Sequence, residues 1–373
     1  MLSCPPAEEP PLRVVVAIAV LLAAAGCGGA APAPAGGAGG DPAVTDDSGS
    51  IPGDTGEGDA PSCGAVTFTA DADGATTDLT AAFEAGEELV LSEDGQLDVC
   101  TGTWFSLVTV RAAVRVVGGS ADPLDTILSG GESGSVLVVE GAGAALTVER
   151  VVLERGAARG ERNAAAGGGL RCTDGATVSL SDAVVRDNFA YDGGGLYGGR
   201  GCTLTVERVR LDGNQSGDDG GALRLDDATA TLVDVTISNS TARDGGAVLA
   251  WQSALRIQGG RFEGNTSTDS QGGAILHYSG DLSVSGTTFR DNRSLEVGGA
   301  LASFGPATLV DVRFERNAST EGGAAYVYTT NGRLDCTRCS FARNQPDDVA
   351  LDVGGSFDFG EDVDVVCDAG GCR

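Results

Sequence analysis

Apolar and polar side chains alternate along this chain in short runs, and the break between runs recurs. Take as zero the apolar residue that stands three before an Asn. Apolar or small residues then lie seven, five and two positions earlier. They are Leu282, Val284 and Thr287 before Phe289; Leu255, Ile257 and Gly260 before Phe262; Leu204, Val206 and Val209 before Leu211. Leu146, Val148 and Val151 before Leu153 keep the same phase in a degenerate copy without the Asn. A step of two is strand alternation with one face inward, and a step of three is a corner. The pattern predicts very short strands, turned by corners and facing a common interior.

A second signal keeps the same beat. Two glycines, a small residue and an aliphatic one recur from Gly167, Gly193, Gly220, Gly245, Gly272, Gly298 and Gly322, at spacings of 26, 27, 25, 27, 26 and 24. The zero position and its Asn recur with them: Val185 and Asn188, Leu211 and Asn214, Phe262 and Asn265, Phe289 and Asn292, Phe314 and Asn317, Phe341 and Asn344. Ile237 is followed by Ser240 in place of Asn, and Leu153 by Gly156. A repeat of this length, too short to bury a face alone, is the signature of a solenoid. We expect an all-β fold, a right-handed single-stranded parallel β-helix of about ten coils, with coils about 4.8 Å apart. The paired glycines are expected where the backbone turns and coils touch. The Asn is expected to adopt a left-handed turn conformation and to bond backbone or the Asn of the next coil. Phe262, Phe289, Phe314 and Phe341 should form one interior column.

Upstream, Glu88–Leu91, Phe105–Val110, Val114–Val117 and Val136–Val139 read as strands of less regular coils, and Thr77–Gly86 as a short amphipathic helix. A helix there would cap the first coil, whose open edge needs cover. Residues 63–373 form the expected β-helix domain. Before it, residues 28–62 are mostly Gly, Ala, Pro, Asp, Ser and Thr, which cannot offset their ordering entropy, so 27–62 is expected to be a disordered tether.

The combination of the GGA-aliphatic step with FxxN resembles the passenger repeats of chlamydial polymorphic outer membrane proteins, and more broadly bacterial right-handed β-helix repeat proteins. The match is clear over 167–344 and general over 64–160. The resemblance implies an adhesion-like role. Those proteins end in a membrane barrel, and none is visible after the last coil here.

Val14–Ala25 is a 12-residue apolar run after Arg13, too short for a membrane span and suited to a signal peptide over residues 1–26. It ends Ala24-Ala25-Gly26-Cys27, which resembles the bacterial lipobox, with Ala24 where Leu is usual. That resemblance implies a lipidated Cys27 and anchoring by several acyl chains, in place of a barrel. A cleaved, unlipidated signal is the alternative. Glu8, Glu9 and the early prolines suit a start nearer Leu12. The expected location is the cell envelope, as an outer-membrane-anchored lipoprotein facing the periplasm or the surface, touching the membrane through its anchor alone.

Composition narrows the partners. The net charge is −29, and all 24 basic residues are Arg. Such a surface repels phosphate backbones, so nucleic acid is not expected as a partner. The acidity also keeps a long β-protein soluble and its edges apart, and a monomer is expected. Beside Cys4 and Cys27, eight cysteines suit an oxidising compartment. Neighbours in sequence suggest Cys63 with Cys100, Cys172 with Cys202, Cys336 with Cys339 and Cys367 with Cys372, although connectivity does not follow from sequence. The Cys336-x-x-Cys339 spacing also suits a redox or zinc motif, but both cysteines fall on inward positions, which favours a corner disulfide or buried thiols.

Little else carries chemistry. A single His, His277, leaves no material for His-based metal sites or triads, and it is expected on the surface. No cofactor, metal or catalytic residue is expected. Asn239, Asn265, Asn292 and Asn317 begin N-x-Ser/Thr sequons, read either as glycosylation acceptors or as structural turn residues. Asp218, Asp219, Asp226 and Asp227 form the densest acidic group, at the turns flanking one Gly-Gly step. The expected function is non-catalytic, with a binding, adhesion-like or structural role toward an unknown surface or glycan ligand. The alternative is a carbohydrate-active enzyme, a polysaccharide lyase or glycosidase, which would need its carboxylates gathered in a lateral groove.

Overall fold

The computed structural model describes residues 64–160, 165–328, 332–352, 355–359, 367–368 and 371–372. The chain winds through about ten coils of a parallel β-solenoid. One coil shows the plan. Gly193-Gly194-Gly195 turns into strand Leu196–Gly198, and a tight turn leads to strand Thr203–Glu207. A corner at Arg208 leads to Arg210–Asp212, and a second at Gly213 leads to Gln215–Ser216. Among the described residues these strands, stacked coil on coil, build four sheets. We name them I (13 strands, containing Thr203–Glu207), II (13, containing Leu196–Gly198), III (10, containing Arg210–Asp212) and IV (6, containing Gln215–Ser216).

The inward phases are those of the sequence pattern. Leu204, Val206, Val209 and Leu211 are each at most 2% exposed. The register pairs Phe262 with Phe289, Phe289 with Phe314 and Phe314 with Phe341. Their rings stack at 4.9, 5.1 and 5.1 Å, so the interior column is continuous, its last member only half-buried.

The Asn residues form a ladder inside the second corner. Asn265 Nδ2 donates to Asn292 Oδ1 (2.9 Å), Asn292 to Asn317 (3.0 Å) and Asn317 to Asn344 (3.0 Å). Each also donates to the carbonyl at the zero position one coil earlier, as Asn292 does to Phe262 O at 2.9 Å. The left-handed conformation expected of Asn belongs instead to the residue before it: Asp187, Gly213, Gly264, Asp291, Arg316 and Arg343 all have φ between 54 and 66°. The Asn side chain must point inward to build the ladder, so its neighbour makes the turn. The first corner is left-handed as well, at Arg150, Asp182, Arg208, Asp234, Asp311 and Arg338. Gly259 and Gly286 hold this corner in the two coils between Asp234 and Asp311, and on either side opposite charges face each other: Arg208 pairs with Asp182 at 2.7 Å and Arg338 with Asp311 at 2.5 Å.

The second glycine of each pair lies where coils meet. A Cβ on Gly273 would stand 2.1 Å from Gly299 O, and one on Gly246 2.3 Å from Gly273 O. No side chain fits that approach.

At the N-terminal end the helix is Thr80–Ala85, shorter than expected because Thr76–Asp78 is strand. Phe83 of this helix is 1% exposed and closes the interior. Strand Val66–Ala70 lies antiparallel to Gly95–Val99, against the sense of the coils. The stretch Phe105–Val110, expected as one strand, divides at Ser106 between Gly102–Phe105 of sheet III and Leu107–Val110 of sheet II.

Candidate functional site

The outer face of sheet II carries features that a plain solenoid does not need. Four residues after the first glycine the side chain points outward, giving the column Arg171, Tyr197, Arg224, Leu249, Leu276, Ala302 and Tyr326. Leu249, Leu276 and Ala302 are nonetheless at most 1% exposed, and form a second, small apolar cluster with Tyr278, Phe304 and Tyr328. These aromatic residues, with Trp251, stand six residues after the first glycine of their coils. They form an outer column: Trp251 to Tyr278 at 4.8 Å, Tyr278 to Phe304 at 4.9 Å and Phe304 to Tyr328 at 3.9 Å. The last two contacts are stacked, at 12° and 1°. Trp251 is tilted by 54° and 44% exposed.

One coil below, the position of Trp251 is held by Asp226, its register partner. Here the face becomes polar. The Arg224 guanidinium donates to Asp192 at 3.1 Å and to Asp226 at 3.0 Å, and it also bonds Asp219. Tyr197 donates its hydroxyl to Asp226 at 3.0 Å. Arg243 pairs with Asp218 at 3.1 Å and with Asp269 at 2.5 Å. Above these groups lies an open recess of about 560 Å³, lined by Asp174, Tyr197, Arg200, Arg224, Asp226, Asp227, Trp251 and Gln252.

The electrostatics follow from this packing. Burial raises Asp192 to about 6, with Arg224 opposing and Asp219 reinforcing the shift. Burial likewise raises Asp219 to about 6 against the pull of Arg224. Burial and then the Asp226 charge hold the Tyr197 phenol above its ordinary range. Burial works to lower Arg224, but its bond to Asp226 and the Asp192 and Asp219 charges outweigh that, so it remains a firm cation. Carboxylate oxygens of Asp192, Asp218 and Asp219 lie within 4.8 Å of one another, near enough to share a cation. Arg224 already serves that place for Asp192 and Asp219, and Arg243 for Asp218.

The four acidic residues singled out in the sequence therefore part company. Asp218 and Asp219 join Asp192 of the coil below beneath the surface, while Asp226 and Asp227 line the recess. Sequence reasoning missed Asp192, Tyr197, Arg224 and Trp251. A signal was present: Trp251, Tyr278, Phe304 and Tyr328 share one phase of the Gly-Gly repeat.

His277 is a correction. It is fully buried, with Nδ1 2.9 Å from Ser303 Oγ. It stands five residues after Gly272, an inward phase shared with Leu225, Ala250, Ser303 and Val327. Strand alternation from Ile275 puts it inside. Burial lowers it to about 4, with Gly280 backbone and Asp281 acting the other way. Of the sequons, Asn265, Asn292 and Asn317 are at most 1% exposed and committed to the ladder, which denies access to a glycosylating enzyme. Asn239 is exposed.

Disulfides join Cys172 to Cys202, with Cα atoms 6.2 Å apart, and Cys336 to Cys339, 5.9 Å apart. The second pair lies inside the coil, at 1% and 4% exposure. Cys100 is also disulfide-bonded. Strand register sets Cys367 opposite Cys372. Cys27 and Cys63, with the expected signal peptide and tether, lie outside the described residues.

No family model matches this sequence, and no curated protein matches it. Among solved structures, the crystal structure of the Agl-KA catalytic domain aligns with 76% of this chain at 12% identity and a TM-score of 0.27. The chain spans 64% of that chain's length.

Proposed function

We propose that this chain is a cell-envelope lipoprotein of the bacterial β-helix repeat class, anchored through Cys27, that binds a glycan or surface ligand without turning it over. The observation that carries the reading is the outer face of sheet II. There a column of aromatic side chains ends in a partly exposed indole at an open polar recess. The GGA-aliphatic and FxxN repeats support membership of that class, and their resemblance to polymorphic outer membrane proteins supports an adhesion-like role. The Ala-Ala-Gly-Cys sequence at Cys27 supports the anchor.

Catalysis by a carbohydrate-active enzyme is the second reading. It is favoured by Asp192 and Asp219, two carboxyls held near 6 and so suited to proton transfer at neutral pH. Against it, both are turned onto Arg224 and neither lines the recess.

One experiment separates the readings. The full chain, produced in a bacterial host, is incubated with a panel of neutral and acidic polysaccharides. Retention on the polymer and release of reducing ends or unsaturated products are both measured. Retention without release is expected. Progressive release, abolished by Asp192→Asn or Asp219→Asn, would establish the enzyme instead. Lack of retention on every polymer would end the glycan reading. Mass spectrometry of the mature N-terminus decides the anchor, and an unmodified residue there would remove it.

A further inference from the structure

The outer aromatic column looks like a track along which a chain ligand could lie, but its geometry denies this. Tyr278, Phe304 and Tyr328 are stacked face to face along the solenoid axis, so their π-faces are spent on one another. Only ring edges turn outward. The exception is the end of the column. Trp251 is tilted away from Tyr278 and borders the recess, where the coil below supplies Asp226 instead of another ring.

Around that indole the polar groups differ in their freedom. Arg224 is locked by Asp192, Asp219 and Asp226, and Arg200 stands 3.5 Å from Asp227. The buried cation is thus fully paired, while Arg200, its side chain 90% exposed, only faces a carboxylate at the rim. Asp227 and Gln252 are exposed at its rim, and Asp226 is part-exposed. The recess accordingly offers the Trp251 indole, the Tyr197 ring, carboxylate acceptors and an amide, and its three carboxylates, Asp174, Asp226 and Asp227, outnumber its two cations. It belongs to a chain of net charge −29. A ligand with carboxylate, sulfate or phosphate groups meets repulsion there. A ring with an apolar C–H face and several hydroxyl donors meets complementary groups. The volume falls within the range of small-ligand sites.

We propose that this recess seats one non-acidic pyranose unit of a glycan. Its C–H face lies on the Trp251 indole and its hydroxyls donate to Asp226 and Asp227, with Gln252 at the rim. The proposal rests on the binding reading above and narrows it to one place and one class of sugar. The aromatic residues above Trp251 then hold the indole in position and do not themselves carry ligand.

The chain contains two tryptophans, Trp104 and Trp251. Trp104→Phe in the full chain therefore leaves indole fluorescence as a report on the recess alone. That protein is titrated with cellobiose, maltose, laminaribiose, lactose and diacetylchitobiose, and with digalacturonate as the acidic counterpart. At least one neutral disaccharide is expected to give a saturable change, with digalacturonate at least tenfold weaker. Asp227→Ala should weaken the response at least threefold, with an unaltered circular dichroism spectrum. The absence of a saturable response to all five neutral sugars, or equal or tighter binding of digalacturonate, overturns the proposal. The wider reading fails separately. If Trp251→Ala stays folded and the full chain still holds its polysaccharide undiminished, the recess assignment falls while glycan binding stands.

Discussion

Truncating Phe289 to Ala removes the central ring of the inner column. The ring is 1% exposed and lies 4.9 Å from Phe262 and 5.1 Å from Phe314. Loss of a fully buried Phe costs about 3–5 kcal/mol, the transfer term plus the cavity left behind. Each aromatic contact adds about 0.5–1.5 kcal/mol beyond area. The site cannot collapse readily, because the rings above and below are themselves fixed by their own coils, so the upper end of the range, about 5 kcal/mol, is expected. The backbone is spared: Asn317 Nδ2 can still donate to the carbonyl of residue 289. Arg290, one residue on, is the control. Its side chain is 46% exposed and pairs with Asp291 at 3.1 Å, so Arg290→Ala should change stability by no more than about 0.5 kcal/mol. A solenoid's stability is a sum over neighbouring coils, so the loss should appear first as local opening. Hydrogen exchange across residues 260–320 of the full chain reads it. Equal protection in the two variants would refute the packing argument.

Three further outcomes are expected. Asn292→Ala strips Asn265 of its acceptor and Phe262 O of its donor, at about 2–4 kcal/mol, whereas Ser240→Asn should join the two halves of the ladder and raise the unfolding midpoint; a lower midpoint for Ser240→Asn would show that the corner cannot admit the amide. Gly273→Ala forces a Cβ to within 2.1 Å of Gly299 O, so limited proteolysis should cut the chain near this coil, and wild-type resistance would contradict the close approach. His277 is neutral when folded, and its value of about 4 lies below the unfolded 6.5, so the unfolded state binds more protons between those values and stability falls as pH drops through that window. In His277→Leu, which places Leu at the inward phase that Leu225 holds two coils below, that loss is absent; the variant should gain about 3 kcal/mol on wild type between pH 7 and pH 4, and parallel urea profiles at the two pH values would count against the burial of a neutral imidazole.

The interior was legible because it depends on side-chain polarity at fixed steps. Phase alone places Leu204, Val206, Val209, Leu211 and Asn214 inward. Sheet IV could not, since strands as short as Gln215–Ser216 carry no alternation to read. His277 was misplaced because polarity was trusted over phase. The recess was hidden for another reason. Tyr197, Arg224 and Trp251 belong to three different coils, and they meet only when the coils stack. The four acidic residues near Gly220 drew attention as a cluster in sequence, yet the stacking divides them between a buried ion network and the recess wall.

The reversed strands at the two ends bear on how such a molecule can change in length over evolution. Val66–Ala70 runs against Gly95–Val99 at one extremity, and Gly371–Cys372 against Val349 at the other. Each reversed strand is covered in its own sheet by an antiparallel partner, Thr76–Asp78 at the first end and Cys367–Asp368 at the second, so neither continues the parallel stacking by which a coil is added. Lengthening that keeps these ends comes from within, by duplicating a whole unit between two Gly-Gly steps. A partial unit would shift the Asn ladder, the Phe column and the charged corners out of phase together. A complete unit copied above Trp251 would extend the outer aromatic column by one ring and leave the recess beneath it untouched. The reach of the rod and the chemistry of its recess can thus be inherited and altered separately.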